Sequence, residues 1–470
     1  MKDIKYKKAL TILWRMFGSV VMLIGLGIFL SRIVNKAPSG KLPEVKQMEI
    51  IVEQGGCMIC HAGWDKERLG TQWPIIGKLT DKDASRGMRY SNMSLAMVQL
   101  YDNTPINQSV LHKLQRVVLN RSMPPFSFTL THWKSPLTKG KQEIFLRWIY
   151  GRMNRDFGIP YPATHAQFQP IRPVPDTLII DPGKAALGEL LYHDTRLSSD
   201  QTLSCASCHN TETGGTDNQR FSIGIFNQPC ETTTLTTYNA IFHTFFSWDG
   251  ASSTPEELLD MHFKDPVKMQ SDTLERVIEL LKADKALQGL FTQAYPGTGL
   301  TDSTLTDALV EYLKTLITPD SPFDRYLKGN EDAITRSAKK GYDLFKKYGC
   351  ATCHNGVAAG GTSMEYAGIA NSFFPNREDL RLEDMGHYKV TGNPLDMHRF
   401  KVPGLRNIEF TYPYFHNAIT DNLRVAVSAM AYHQKNIRLT DKEKDRIVAF
   451  LKTLTGEHPD LSQNKPQMQE

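Results

Sequence analysis

Apolar residues follow one another almost without a break from Ile12 to Val34, "ILWRMFGSVVMLIGLGIFLSRIV", with Arg15 and Arg32 near the ends. That is about the length a helix needs to cross a bilayer. Lys2, Lys5, Lys7, Lys8 and Arg15 precede most of the run, so the positive-inside rule leaves the N-terminus in the cytoplasm and the rest outside. A cleaved signal peptide is the alternative, but "SRIVNKAPSG" offers no A-x-A-like cleavage site. Elsewhere the apolar positions take a helical period. "GKQEIFLRWIYGRM", "TLERVIELLKADKALQGLFTQAY", "TLTDALVEYLKTLI" and "TDKEKDRIVAFLKTLTG" each predict a helix, and Thr440 with Glu443 makes a capping-box pattern at the start of the last.

Between these runs the chain is punctuated. "NKAPSGKLPEVK" reads as a short linker, "QFQPIRPVPDTLIIDPG" as a Pro-rich one, and "ITPDSPFDRYLKG" as a break before a third unit. The predicted organisation is a cytoplasmic N-terminus and transmembrane anchor over 1–36, then domains over 45–165, 178–335 and 336–457, and a tail over 458–470. The predicted fold class is mainly α.

Composition changes this picture little. A length of 470 residues allows two or three domains, and 40% hydrophobic with 22% charged residues is ordinary for globular protein. The net charge of +5 misleads, because residues 1–36 carry +6 and leave −1 for the remainder. No basic stripe is present to bind nucleic acid.

The chemistry lies in one frame used three times: "CMICH" at Cys57, Cys60 and His61, "CASCH" at Cys205, Cys208 and His209, and "CATCH" at Cys350, Cys353 and His354. Six of the seven cysteines sit in these frames, and Cys230 is left over. A disulfide framework would not place a histidine straight after every second cysteine, and a zinc site would bring two CxxC halves together. C-x-x-C-H is the attachment signal for c-type haem. The two thiols add to the two porphyrin vinyl groups, and the histidine becomes the proximal ligand. Three covalently bound haem c groups are therefore expected, in three cytochrome c-like domains.

The sixth ligand decides what a haem does, since a Met raises the potential and an open position permits chemistry on small molecules. Met123 in "NRSMPPF" is followed by prolines that can present its sulfur to iron, although a loop Met capping a helix would look the same. Met430 in "LRVAVSAMAYHQ" lies on an apparent helix and, alone, reads as core.

Several stretches together carry a resemblance. "LGELLYHDTRLSSDQTLSCASCH", "GGTDNQRFSIG", "FSWDG", "GYDLFKKYGCATCH", "FKVPGLRNIEFTYPYFHNA" and "IVAFLKTLTG" resemble the bacterial di-haem cytochrome c peroxidases, closely over 178–457. The apolar segment and the N-terminal frame resemble the membrane-bound tri-haem branch, the quinol peroxidases. The resemblance implies that the middle haem reduces hydrogen peroxide and that the C-terminal haem receives electrons at high potential. The N-terminal haem would feed them in from quinol or a cytochrome c. It implies Met430 as sixth ligand of the C-terminal haem, Trp248 between the middle and C-terminal haems, and His416 near the latter. It also implies calcium at the carbonyls of Thr411 and Pro413, with Thr233 where the family has an Asn. The di-haem relatives are commonly dimers, so a homodimer is a possible assembly.

The chain departs from the family around the middle haem. The loop histidine of "SIGH" is Ile225, which cannot ligate iron, so a five-coordinate middle haem with an open distal side is expected. The family's distal Gln and catalytic Glu fall on Leu258 and Lys268, and the Arg after "WDG" on Ala251. A Lys at its usual pKa cannot accept a proton from peroxide unless burial lowers it. His262, Asp260 and Asp265 are the other candidate bases, although each taken alone reads more readily as a surface polar residue of a loop. Cys230 reads as a free thiol. The expected function is a tri-haem peroxidase, single-pass in the bacterial inner membrane with its catalytic part in the periplasm. The alternative is an electron relay, or an enzyme for another substrate, with the pocket altered at Lys268 and Leu258.

Overall fold

A computed structural model of the chain describes residues 14–22, 25–27, 29–30, 33–62, 74–125, 128–129, 132–159, 169–270, 274–374 and 380–462. The fold is mainly helical, with a two-stranded antiparallel ribbon, Met364–Tyr366 against Arg399–Lys401, in which Glu365 pairs with Phe400.

The expected membrane placement is corrected. Among the described residues no helix is long and apolar enough to cross a membrane. Residues 1–13, 23–24, 28 and 31–32 of the expected anchor lie outside the described residues.

The chain forms two compact units: residues 1–106 with 113–162, and residues 107–112 with 163–470. In the first unit the helices Glu44–Gly55 and Lys139–Phe157 bury Met48, Ile51, Phe145, Trp148 and Ile149.

The second unit holds two hydrophobic cores, and both are built on the same kind of helix crossing. In one, Pro182–Tyr192 packs on Asp302–Thr315 through Leu187, Leu191, Leu305 and Leu309. In the other, Arg336–Lys347 packs on Asp441–Lys452 through Tyr342, Phe345, Ile447 and Phe450. A glycine sits at each crossing. A Cβ on Gly188 would lie 1.9 Å from the Ala308 carbonyl oxygen, and one on Gly341 would lie 1.8 Å from that of Arg446. Any side chain there would push the helices apart.

Two local readings differ from expectation. The "TLERV…TQAY" run is two helices, Leu274–Lys282 and Lys285–Ala294, because the Asp284 carboxylate accepts from the N–H groups of Ala286 and Leu287 and starts a new helix. The cores also ignore the predicted boundaries. Phe323 and Ile334 join the C-terminal core, Phe410 joins the middle one, and Leu461, from the predicted tail, is buried there too. The capping box at Thr440 and Glu443 forms.

Candidate functional site

In the first unit, Gly56 ends the Glu44–Gly55 helix in the left-handed region, and the turn delivers Cys57–His61 as a short helix. His61 Nδ1–H donates to the Ser91 carbonyl at 2.8 Å, which leaves Nε2 as the ligating nitrogen. Burial lowers the His61 pKa and keeps the ring neutral. The loop that carries Met123 reaches this frame through Phe128, whose ring lies against Gly56. Met123 itself is half-buried.

The third frame follows Gly349, also left-handed, at the end of Arg336–Lys347. Cys350, Cys353, His354, Met430, Trp248 and His416 all line one cavity of about 250 Å³ with largely apolar walls. Met430 is brought there by the Leu423–Lys435 helix, which Asn422 caps by accepting from Arg424 and Val425 N–H. Burial pushes His354 down to about 4, against the Ala359 and Pro403 carbonyls, so its ring is neutral and can donate a lone pair to a metal. Two thiols, an imidazole and a thioether around one apolar cavity are the donor set a c-type haem takes.

Trp248 forms part of the same wall. Its Nε1–H donates to the Thr233 carbonyl at 2.9 Å, and its ring meets His416 edge-on at 6.2 Å. His416 donates through Nε2 to Asp384 Oδ1 at 2.7 Å and stacks on Phe400 at 4.3 Å. Thr233 ties this region together: its N–H donates to the His416 carbonyl at 3.0 Å and its hydroxyl to the Phe415 carbonyl at 2.9 Å. Thr411 and Pro413 line the cavity as well. Among the described residues no group of three His, Cys, Asp or Glu side chains could hold a metal ion.

Two residues of this cavity were missed in the sequence. Lys401 and His243 are both buried, with Nζ 3.4 Å from Nδ1. Burial pushes Lys401 down to about 7 and His243 well below its usual value. A lone Lys and a lone His some 160 residues apart left no signal, since only the fold brings them together.

The middle frame runs Cys205–Cys208 and then His209. The His209 carbonyl accepts from Tyr192 Oη–H at 2.6 Å, and Nδ1 faces the Gly215 carbonyl at 3.4 Å. The ring of His262 lies 6.5 Å from that of His209, centre to centre, with only 13° between their planes. His262 belongs to the helix Pro255–Lys264, started by Pro255 and capped by the Thr254 hydroxyl, and anchored in the core by Leu259 and Phe263. Burial lowers the pKa of both rings, and Lys268 lowers both further.

The other distal candidates separate. Lys268 pairs with Asp265 at 3.1 Å and stays 39% exposed, so the reading of a buried, neutral Lys268 base is corrected. Burial works to raise the Asp265 pKa, but Lys268 and two backbone N–H groups outweigh it and hold the carboxyl low. Asp260 is spent on an exposed ion pair with Lys264. Ile225 is fully buried, and its N–H donates to the Val267 carbonyl at 2.9 Å, which fixes its loop on the turn that carries Lys268. Leu258 is half-buried on the same helix as His262. Cys230 is a free thiol, and burial raises its pKa.

Comparison with known proteins places these residues in context. A family model described as "Di-haem cytochrome c peroxidase" matches residues 182–332, and one described as "Haem-binding domain" matches residues 31–150. The cytochrome c peroxidase Ccp of Escherichia coli (strain K12) is 36% identical over 416 residues, 88% of either chain. The cytochrome c551 peroxidase of Nitrosomonas europaea is 37% identical over 293 residues, 62% of this chain and 86% of its own. A solved MauG-like protein associated with microbial copper homeostasis aligns with a TM-score of 0.54 at 25% identity, over 64% of this chain and 98% of its own.

Proposed function

Because the chain belongs to the di-haem cytochrome c peroxidase family, an oxidoreductase family that binds haem c, we propose that it reduces hydrogen peroxide with three haems. One is held by Cys57, Cys60, His61 and Met123, one by Cys205, Cys208 and His209, and one by Cys350, Cys353, His354 and Met430. Two electrons and two protons convert one H2O2 to two waters. A cytochrome c or a quinol would supply the electrons; His61 and Met123, and His354 and Met430, would hold electron-carrying haems, His209 would hold the haem open to peroxide, and Trp248 would lie on the path between the last two. The observation that carries this reading is the cavity that gathers Cys350, Cys353, His354, Met430 and Trp248.

Haem, where these residues hold it, would supply a metal that gives electrons to peroxide. The chain supplies the proton traffic. A base must take a proton from one peroxide oxygen and return it to the leaving one. His262, neutral and beside the His209 ring, takes that part in place of the family's Glu. Lys268, paired with Asp265 at 3.1 Å, offers an N–H donor to the departing oxygen.

Calcium would take the Thr411 and Pro413 carbonyls, and the Thr233 hydroxyl donates its proton to the Phe415 carbonyl at 2.9 Å. No step here uses it.

Steady-state consumption of peroxide by the holoprotein with a reduced donor tests the proposal. Wild type is expected to turn over, and His262→Ala to lose at least about a hundredfold, the size of a general-base contribution. If wild type is inactive and Lys268→Glu active, the relay reading at Lys268 and Leu258 replaces this one.

A further inference from the structure

Two flat rings in face-to-face contact sit about 3.5–4 Å apart, the carbon–carbon contact distance. The imidazoles of His209 and His262 are near parallel, yet their centres are 6.5 Å apart. The gap is too wide for stacking. A metal between two trans imidazoles, with nitrogen–metal bonds of ~2 Å and roughly 1 Å from nitrogen to ring centre, separates the centres by roughly 6 Å. His209 Nδ1 faces the Gly215 carbonyl, so its Nε2 is directed to the metal.

We propose that His262 is the second axial ligand of the middle haem in the resting protein. The inference rests on the His209 haem of the proposed function and adds a closed resting state to it. The five-coordinate iron expected from Ile225 holds for that loop alone. Ile225 is buried and pinned to Val267, so no ligand comes from there. The cap comes instead from the Pro255–Lys264 helix, where His262 lies one residue before buried Phe263. Peroxide binds only once His262 swings off the iron, and the freed imidazole is then within reach as the base. Capping and catalysis therefore share one side chain.

The resting ferric holoprotein, with no donor and no peroxide, reads this directly by electron paramagnetic resonance. All three haems are expected to be low-spin, with a rhombic signal for the middle one because its two imidazole planes are nearly parallel. In His262→Ala one haem of the three becomes high-spin, and added imidazole returns it to low-spin. His262→Gln keeps the polarity and length of the helix surface and gives the same conversion. A wild-type middle haem that is already high-spin overturns the proposal, as does a His262→Ala or His262→Gln protein with all three haems still low-spin. The readout needs no turnover. A protein inert to peroxide can still show the cap, and an active one with a high-spin middle haem keeps the proposed function and loses the cap.

Discussion

Arg406 and Asp324 form an ion pair in the C-terminal core, with 1% and 0% of their side chains exposed and 2.8 Å between Nη2 and Oδ1. Burial alone disfavours the guanidinium charge, and Asp324 opposes that. Arg406 also donates to the Val357 and Arg172 carbonyls and the Ser321 hydroxyl at 2.8–3.0 Å, so it cannot turn to water when its partner is lost. Asp324→Asn keeps the shape and removes the charge. An unpaired buried charge costs about 3–5 kcal/mol. At ~2–4 °C per kcal/mol for a domain of this size, the melting transition of the second unit falls by roughly 6–20 °C. The double variant Asp324→Asn with Arg406→Met should cost less than the sum of the singles by roughly 0.5–3 kcal/mol, because the residues are in contact. Thermal melts of the holoprotein followed by circular dichroism measure all three. A loss under about 1 kcal/mol for Asp324→Asn, or strict additivity, refutes the argument that the charge is locked in.

Three further outcomes follow from the geometry. Trp248→Leu removes the ring at His416 and the bond to Thr233, so peroxide turnover slows by about tenfold or more while reduction of the His354 haem by its donor is unchanged in stopped flow, each tenfold being about 1.4 kcal/mol of barrier. Met430→His exchanges a thioether for an imidazole and lowers the potential of the C-terminal haem, read by redox titration; an unchanged potential removes Met430 from the iron. His458 Nδ1 lies 3.0 Å from Tyr238 Oη, and burial lowers its pKa below 6.5. The unfolded chain therefore takes up the proton first as pH falls. Stability is full above about pH 6.5 and drops below it by at most ~1.4 kcal/mol per pH unit, and His458→Phe flattens that slope in melts at pH 7.5 and 5.5.

The helices and the haem frames were legible because their signals are local. A period of 3.6 marks the Asp302–Thr315 and Asp441–Lys452 helices, and the Cys-x-x-Cys-His spacing carries its chemistry within five residues. What stayed hidden is set by distant chain. Phe323 looked like linker and is fully buried beside Phe450, at 5.0 Å. Lys401 and His243 meet only in the folded cavity. His262 was one of several polar residues on a run of unknown register, and only the packing of Leu259 and Phe263 into the core places its ring beside that of His209. The apolar run from Ile12 was read from composition alone, and among the described residues no helix is long and apolar enough to cross a membrane.

The matched glycines at positions 188 and 341 bear on engineering. Two modules that lock their helices by the same trick share a chassis, with their differences confined to the segments strung between. Grafting the segment that holds Met430 onto the corresponding stretch of the middle module should then transplant a redox potential without rebuilding its support.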